Sequence, residues 1–283
     1  MDSFWQWWQH LPERIDPVFF QLGSVQIRYY GLMYFTSFLV AYTLLLYRAK
    51  KEKGPFTKNI VEDYATWAII GVLLGSRLGY VLFYNLGYFW EHPLEIFLPF
   101  QTSAEGFQYT GISGMSYHGG LIGVTVATIW FCRKMKLNIL RFGDFLVSAV
   151  PLGYMFGRIG NFLNGELYGR VTHVAWGMYF PGAETYDLRH PSQLYEAFFE
   201  GAILFCLLWT LRKQKFFNGF LVALYLIGYG IVRFFIENFR QPDDHLGFII
   251  GSLTMGQILC SAMILAGALM IIGSYYKVKM DGK

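Results

Sequence analysis

Seven stretches of about 20 mostly apolar residues recur along the chain, at 29–47, 64–84, 113–132, 145–164, 191–211, 216–236 and 252–276. About 20 residues is the length needed to cross a hydrocarbon core of about 30 Å as a helix. Inside such a core only helices and closed barrels satisfy their own backbone polar groups. The expected fold is therefore an all-α polytopic integral membrane protein with seven transmembrane helices and its termini on opposite sides. Composition supports this reading: 54% of residues are hydrophobic and 15% charged, whereas soluble domains carry about a quarter charged residues. Soluble globular and disordered classes are excluded, and 31 Gly and 9 Pro without a period exclude a collagen-like chain.

Basic residues orient the spans. Arg48, Lys50, Lys51, Lys53 and Lys58 follow the first span; Arg133, Lys134, Lys136 and Arg141 follow the third; Arg212, Lys213 and Lys215 follow the fifth; Lys277, Lys279 and Lys283 close the chain. Every lysine is on that side, while the opposite segments hold Arg14, Arg28, Arg170, Arg189 and Arg240. By the positive-inside rule the N-terminus is outside and the C-terminus cytoplasmic. Residues 1–283 read as one transmembrane domain with small outer-face elements at 85–112 and 165–190. Residues 1–28 read as an outer N-terminal arm, with Trp5, Trp7 and Trp8 lying at the headgroups and no cleavable signal. Gln101–Met115 reads as a loop. Gly71, Gly75 and Gly79, like Gly153 and Gly157, repeat at four-residue spacing and read as helix-packing ridges.

Ionisable residues inside spans are costly and are functional candidates by default. Arg77, Arg158 and Arg233 each lie 14 positions beyond an inner boundary residue, Asp63, Asp144 and Gly219. At a rise of about 1.5 Å per residue, all three reach about 21 Å into the core. Arg28 and Tyr30 precede the first inward-running helix, His118 opens the third, and His190, Gln193, Glu196 and Glu200 begin the fifth. Asn161, Asn164 and Glu166 follow Arg158, and Glu237 and Arg240 follow Arg233. These positions outline a polar chamber open toward the outer leaflet. Tyr229, Arg233 and Glu237 form one stripe at i, i+4 and i+8. Guanidinium forks suit phosphate, so a phospholipid headgroup site is expected. Three blander readings stand beside it: a snorkelling or carbonyl-capping Arg77, an intrahelical Arg233–Glu237 ion pair, and a satisfied structural His118.

Other chemistries lack support. Cys132, Cys206 and Cys260 form neither a disulfide framework nor a thiolate metal site. No HExxH, GxSxG, P-loop or GxGxxG pattern is present, and a formal charge of +4 with aromatics dispersed through apolar runs gives no nucleic-acid signature. A transporter would place its polar groups near the midplane in related halves. A lipid-binding receptor would need the chamber but no reacting thiol.

The segments DPVFFQLGSVQIRYYGLMY (16–34), GSRLGYVLFYN (75–85), GMSYHGGLIG (114–123), GRIGNFLNGELYGR (157–170), RHPSQLYEAFFEG (189–201) and IGYGIVRFFIENFRQPD (227–243) resemble the prolipoprotein diacylglyceryl transferases of bacterial inner membranes. The resemblance runs from about Asp16 to the last helix. It implies transfer of the diacylglyceryl group of phosphatidylglycerol to the lipobox cysteine of a prolipoprotein signal peptide, forming a thioether and releasing glycerol phosphate. Tyr30, His118, Arg158, Asn161, Glu166, Gly169, Tyr229, Arg233, Glu237 and Arg240 fall on family positions linked to activity. Arg158, Arg233 and His118 are the expected catalytic groups, and Arg77 and Glu196 join the others in substrate binding. Two roles stay open for His118: general base toward the thiol, or positioning of the lipid while arginine fields lower the thiol pKa. Phosphatidylglycerol, the signal peptide and membrane lipids are the expected partners, and no cofactor or metal is called for. The proposed orientation predicts that a cysteine introduced beside Glu166 reacts with an impermeant maleimide from outside intact cells. Labelling from the cytoplasm alone would reverse it.

Overall fold

The computed structural model describes residues 2–23, 25–52, 54–98, 100–103, 106–109, 114–214, 216–241, 248–251 and 253–281. Lys53, Lys215 and Lys283 of the basic segments, residues 104–105 and 110–113 of the expected loop, and Pro242 and Asp243 of the last motif lie outside them. Each of the seven apolar stretches carries a helix. After a short α1 (Asp2–Gln9) come α2 (Tyr29–Lys51) and α3 (Lys58–Tyr84), then α4 (Leu86–Glu91) and α5 (Tyr117–Lys134). Next are α6 (Ile139–Val147) and α7 (Val150–Leu163). A continuous helix over Ser192–Leu211 follows, composed of α8 (Ser192–Tyr195), a π-helical stretch (Glu196–Ile203) and α9 (Leu204–Leu211). The chain closes with α10 (Phe220–Ile236) and α11 (Met255–Asp281).

Four of these helices are long and apolar enough to span a membrane, five if the bent α6–α7 pair is one span. Seven is the larger number expected above. Helix α10 has 17 residues, and α5 opens on Tyr117 and His118 and closes on Arg133 and Lys134, which dilutes its apolar length. The all-α expectation is met in the main, with three short antiparallel hairpins besides the helices. They pair β1 (Val18–Leu22) with β2 (Val25–Arg28), β3 (Phe100–Ser103) with β4 (Gly106–Tyr109), and β5 (Phe248–Ile250) with β6 (Leu253–Thr254). The second occupies part of the expected loop at Gln101–Met115. Outside the helices the chain must pair its backbone groups in some other way, and a two-stranded ladder does so within a few residues.

The chain divides into two compact units, Arg48–Phe142 and the remainder, Met1–Tyr47 with Gly143–Lys283. In the first, α3 and α5 meet through glycine. A Cβ on Gly75 would strike the Gly119 carbonyl oxygen and come within 2.7 Å of Gly123 Cα, and one on Gly119 would strike the Gly75 carbonyl oxygen. The spacing read as a packing ridge is therefore one half of a backbone-to-backbone seam, and Gly119 and Gly123 form the other half. Ser116 caps α5 by accepting from the Gly119 N–H at 3.2 Å.

In the second unit, Pro151 opens α7. Its ring excludes the carbonyl four residues earlier, at Val147, where α6 stops, and the two helices bend by 48°. Asp144 on α6 then caps α10: its carboxylate accepts from the N–H groups of Gly219 at 2.7 Å and Val222 at 3.0 Å, a favourable charge at a helix N-terminus. Helix α7 lies against α2, with Gly153 facing the Ser37 carbonyl and Gly160 facing Met33. Residues 165–190 cover one end of this unit, and Phe162, Met178 and Phe180 form a core there with Trp8, Leu11 and Ile15 packed against it. Of these, Trp8 is half-buried. Its indole N–H donates to the Trp176 carbonyl at 3.0 Å, satisfying its polar tip, whereas Trp7 stays exposed.

The seam predicts that Gly119→Ala destabilises the protein by about 1–3 kcal/mol, the usual overpacking cost. Gly31→Ala, where an added Cβ meets nothing within 4 Å, should be neutral or slightly stabilising. Thermal unfolding in detergent compares the two.

Candidate active site

Tyr154, Arg158 and Asn161 follow one face of α7 at i, i+4 and i+7. The Arg158 guanidinium reaches along that face. Its Nε–H donates to Tyr154 Oη at 2.7 Å, its Nη1 donates to Asn161 Oδ1 at 3.3 Å, and its Cζ lies 4.8 Å from the Tyr154 ring centroid. Across from α7, the π-helical stretch supplies Glu196 and Glu200, both at 0% exposure. Departures from α-helical winding of this kind often mark functional sites. Arg158 Nε is 2.7 Å from Glu196 Oε2.

Helix α10 supplies the second cation. Arg233 Nη1 lies 3.0 Å from the same Glu196 Oε2 and 3.8 Å from Glu200 Oε1, and its Nη2 lies 3.2 Å from Glu237 Oε2. One carboxylate oxygen is thus shared by two guanidiniums from different helices. Glu237 is held from its other side by Thr254, whose hydroxyl donates to Oε1 at 3.2 Å. Gly256 leaves room for the carboxylate, since a Cβ there would come within 2.8 Å of Oε1. Tyr229 sets its ring edge-to-face against Tyr154, with centroids 5.9 Å apart.

The segment after α7 closes the arrangement. Gly165 and Leu167 both have positive φ, +68° and +57°; glycine takes that conformation freely, whereas leucine adopts it only where the surroundings hold it. The intervening Glu166 turns back so that its carboxylate accepts from Asn161 Nδ2 at 2.8 Å and Asn164 Nδ2 at 3.1 Å. Gln193 Nε2 donates to the Glu166 carbonyl at 2.7 Å and Ser192 Oγ to the Leu167 carbonyl at 3.1 Å, pinning the strained turn to the start of α8. Gly169 pairs with Arg240 in an isolated bridge. Any side chain at 169 would collide with the Phe239 carbonyl and with His190.

Among the described residues, then, Arg158, Asn161, Glu166, Glu196, Tyr229, Arg233 and Glu237 converge on one network, with Gly169 and Arg240 at its edge. Tyr30, half-buried near the start of α2, lies beside it: a Cβ on Gly160 would be 3.7 Å from Tyr30 Cα. Arg77 and His118 belong to the other unit. Arg77 differs from the expected headgroup ligand. It is 8% exposed and donates to the carbonyls of Ile96 at 2.7 Å, Glu95 at 2.6 Å and Gly114 at 3.3 Å, with Phe89 under its guanidinium. Three carbonyl acceptors explain how a cation is tolerated there, and they match the carbonyl-capping reading. His118 is exposed on the first turn of α5. It makes an edge contact with Tyr117, and its imidazole has no hydrogen-bond partner among the described residues.

Two members of the network were not singled out as site residues from the sequence. Glu200 stood in the outer polar level, and its four-residue offset from Glu196 was the available signal. Tyr154 resembled the many interfacial tyrosines, and only its position four residues before Arg158 could have distinguished it. The network's charges are crowded: two guanidiniums face Glu196, Glu200 and Glu237. Glu196 Oε1, Glu200 Oε1, Glu237 Oε2 and Arg233 Nη1 are buried without a hydrogen bond among the described residues, unusual for buried polar atoms. The Arg158 side chain is the more open cation, 15% exposed against 9% for Arg233, and no described residue accepts from its Nη2. Chemically, the arrangement offers a rigid pair of cations with one open edge, suited to an anion that arrives from that edge. At its periphery, burial pushes the His190 imidazole below its ordinary value.

Residues 17–273 match the sequence profile of the family described as prolipoprotein diacylglyceryl transferase. The chain is 51% identical over 288 residues to the phosphatidylglycerol–prolipoprotein diacylglyceryl transferase of Chlorobaculum tepidum, covering 100% of each. It is 44% identical to the protein of that name from Campylobacter lari, over 93% of this chain and 94% of the relative. Identity to the Campylobacter curvus protein is 46%, over 93% and 95%.

Because Glu196 neutralises two buried cations, Glu196→Ala should cost about 3–5 kcal/mol, as breaking a buried pair does. Glu196→Gln, which keeps an acceptor oxygen, should cost less. Thermal unfolding in detergent measures both, and an unchanged midpoint in Glu196→Ala would contradict the shared pairing.

Proposed function

Since the chain belongs to the prolipoprotein diacylglyceryl transferase family, we propose that the Arg158–Glu196–Arg233 network is where its transfer reaction takes place. The protein is a phosphatidylglycerol–prolipoprotein diacylglyceryl transferase, an enzyme of lipoprotein maturation. The observation that carries the site assignment is the convergence of two guanidiniums on a single carboxylate oxygen, 2.7 and 3.0 Å away.

The reaction is a displacement at the sp3 glycerol carbon that bears the phosphate. The thiolate of the lipobox cysteine attacks that carbon, a C–S bond forms, the C–O bond breaks, and glycerol phosphate departs carrying the electron pair. In apolar surroundings a phosphate leaves poorly unless its growing charge is met by donors already in place, the electrostatic contribution that is usually largest in such sites. Arg158 meets the phosphate through its open edge, and Arg233 reinforces the field from behind Glu196. Glu196, Glu237 and Asn161 hold the two cations at fixed positions, so little reorganisation accompanies the reaction. Glu166, through Asn161, keeps the amide oxygen turned toward Arg158. Tyr30, Tyr229, Gly169 and Arg240 shape the surrounding wall, and Arg77 acts at a distance by tying Glu95, Ile96 and Gly114 to α3.

The cysteine proton, with a reference pKa of about 8.5, must leave the sulfur. His118 is the proposed acceptor, supported by an exposed imidazole with no hydrogen-bond partner among the described residues. The enzyme is a multi-pass membrane protein; seven spans, an outer N-terminus, a bacterial inner-membrane location and a site facing the outer leaflet complete the proposal. The positive-inside distribution and the helix found at every expected span support that topology.

Arg158→Ala or Arg233→Ala should lower thioether formation by about 100-fold or more in phosphatidylglycerol liposomes supplied with a precursor peptide, and retained turnover would remove the phosphate role. His118→Gln should lose most activity, and near-normal turnover with a flat pH profile would reject it as the base.

A further inference from the structure

We infer that Tyr154 is a positioning residue, whose hydroxyl fixes the direction in which Arg158 presents its open guanidinium edge; this rests on the phosphate-binding role proposed above for Arg158. The phenol oxygen occupies a junction. It accepts the Arg158 Nε–H at 2.7 Å and donates its own proton to Glu200 Oε2 at 2.6 Å, with Glu196 Oε2 a more distant acceptor at 3.2 Å. Beneath it, the ring faces the guanidinium carbon at 4.8 Å, and the edge contact with Tyr229 restrains the ring from another side.

A guanidinium has five donors in a rigid plane. Fixing Nε and Nη1 therefore fixes Nη2. Asn161 holds Nη1 at 3.3 Å, a long contact that leaves rotation about the guanidinium poorly constrained on its own. The short bond from Nε to the phenol, together with the ring face, supplies the missing restraint. Glu196 also approaches Nε at 2.7 Å, but that oxygen is shared with Arg233 and belongs to both cations. Tyr154 Oη, in contrast, accepts from Arg158 alone among the described residues. Its other end rests on Glu200, which lies 3.8 Å from Arg233. One phenol thereby links the two arginines in a fixed mutual geometry. Glu200 is a fully buried carboxylate that the mechanism otherwise leaves without a task, and here it orients the Tyr154 hydroxyl so that the oxygen lone pair faces Arg158.

Tyr154→Phe keeps the ring and removes the junction. In steady-state assays with phosphatidylglycerol vesicles and a precursor peptide, kcat should fall about 10- to 100-fold, as misplacement of a catalytic group does. The peptide KM should be unchanged, and the thermal midpoint in detergent should fall by about 5 °C or less, since Glu200 Oε2 loses its phenol donor. In an Arg158→Lys background, where no Nε–H remains to be held, the same substitution should have no further effect in single-turnover measurements. An unchanged kcat in Tyr154→Phe overturns the inference. So does an equal loss in both backgrounds, or a loss of activity that merely follows a fall of more than about 5 °C in the midpoint, the mark of a general stability defect. Wild-type turnover in Tyr154→Phe beside an inactive Arg158→Ala would overturn this inference alone, whereas an active Arg158→Ala would overturn the phosphate-binding role beneath it.

Discussion

One carboxylate oxygen, Glu196 Oε2, lies within 3.0 Å of both Arg158 and Arg233, and the arrangement of the second unit follows from keeping that contact dry and aligned. Two guanidiniums removed from water repel each other and pay a large desolvation cost, which only a well-placed anion offsets. Glu196 is fully buried, so its charge acts through a medium that screens weakly. Helices α7 and α10 must both bring an arginine to it, and the π-helical stretch must carry it at the matching height. The features around the contact maintain this geometry: Asp144 at the head of α10 sets where that helix begins, Pro151 sets where α7 begins, and the bend between α6 and α7 connects the two.

Close approach is arranged differently in each unit. Between α3 and α5 the backbones touch through Gly71, Gly75 and Gly79 on one side and Gly119 and Gly123 on the other, which places Ser116 and His118 at the end of a rigid pair. In the second unit, glycine serves the site directly. Gly169 admits the Phe239 carbonyl and His190 at the mouth, Gly256 admits the Glu237 carboxylate, and Gly165 lets the chain turn so that Glu166 faces Asn161. The strained Leu167 beside it is held by hydrogen bonds from Ser192 and to Glu166 from Gln193. The same turn therefore ties the end of α7 to the start of the helix that bears Glu196.

Much of the site was legible because ionisable residues are so rare in these spans that position alone exposes them. Counting from helix ends gave Arg158 and Arg233 matching positions along their helices, and the two meet at Glu196. The i, i+4 stripe on α10 correctly placed Glu237 against Arg233. Other features were not legible. Arg77 shares the same arithmetic, yet its donors go to the Ile96, Glu95 and Gly114 carbonyls, because depth says nothing of which backbone groups a neighbouring segment brings within reach. Nor did the sequence show that the Trp8 indole would donate to the Trp176 carbonyl. Tyr154 was hidden among 20 tyrosines.

The sequence by itself determined the apolar helices, the family, and the few polar residues that stand out among them, since apolar length and the cost of intramembrane charge depend on composition and order alone. Only the tertiary structure decided who pairs with whom. It joined Arg158 and Arg233 through Glu196, gave Arg77 to backbone carbonyls, and drew Tyr154 and Glu200 into the network. Hydrogen bonds and ion pairs reach only about 3 Å, so their partners are chosen by how the helices pack and not by the spacing of residues along any one of them.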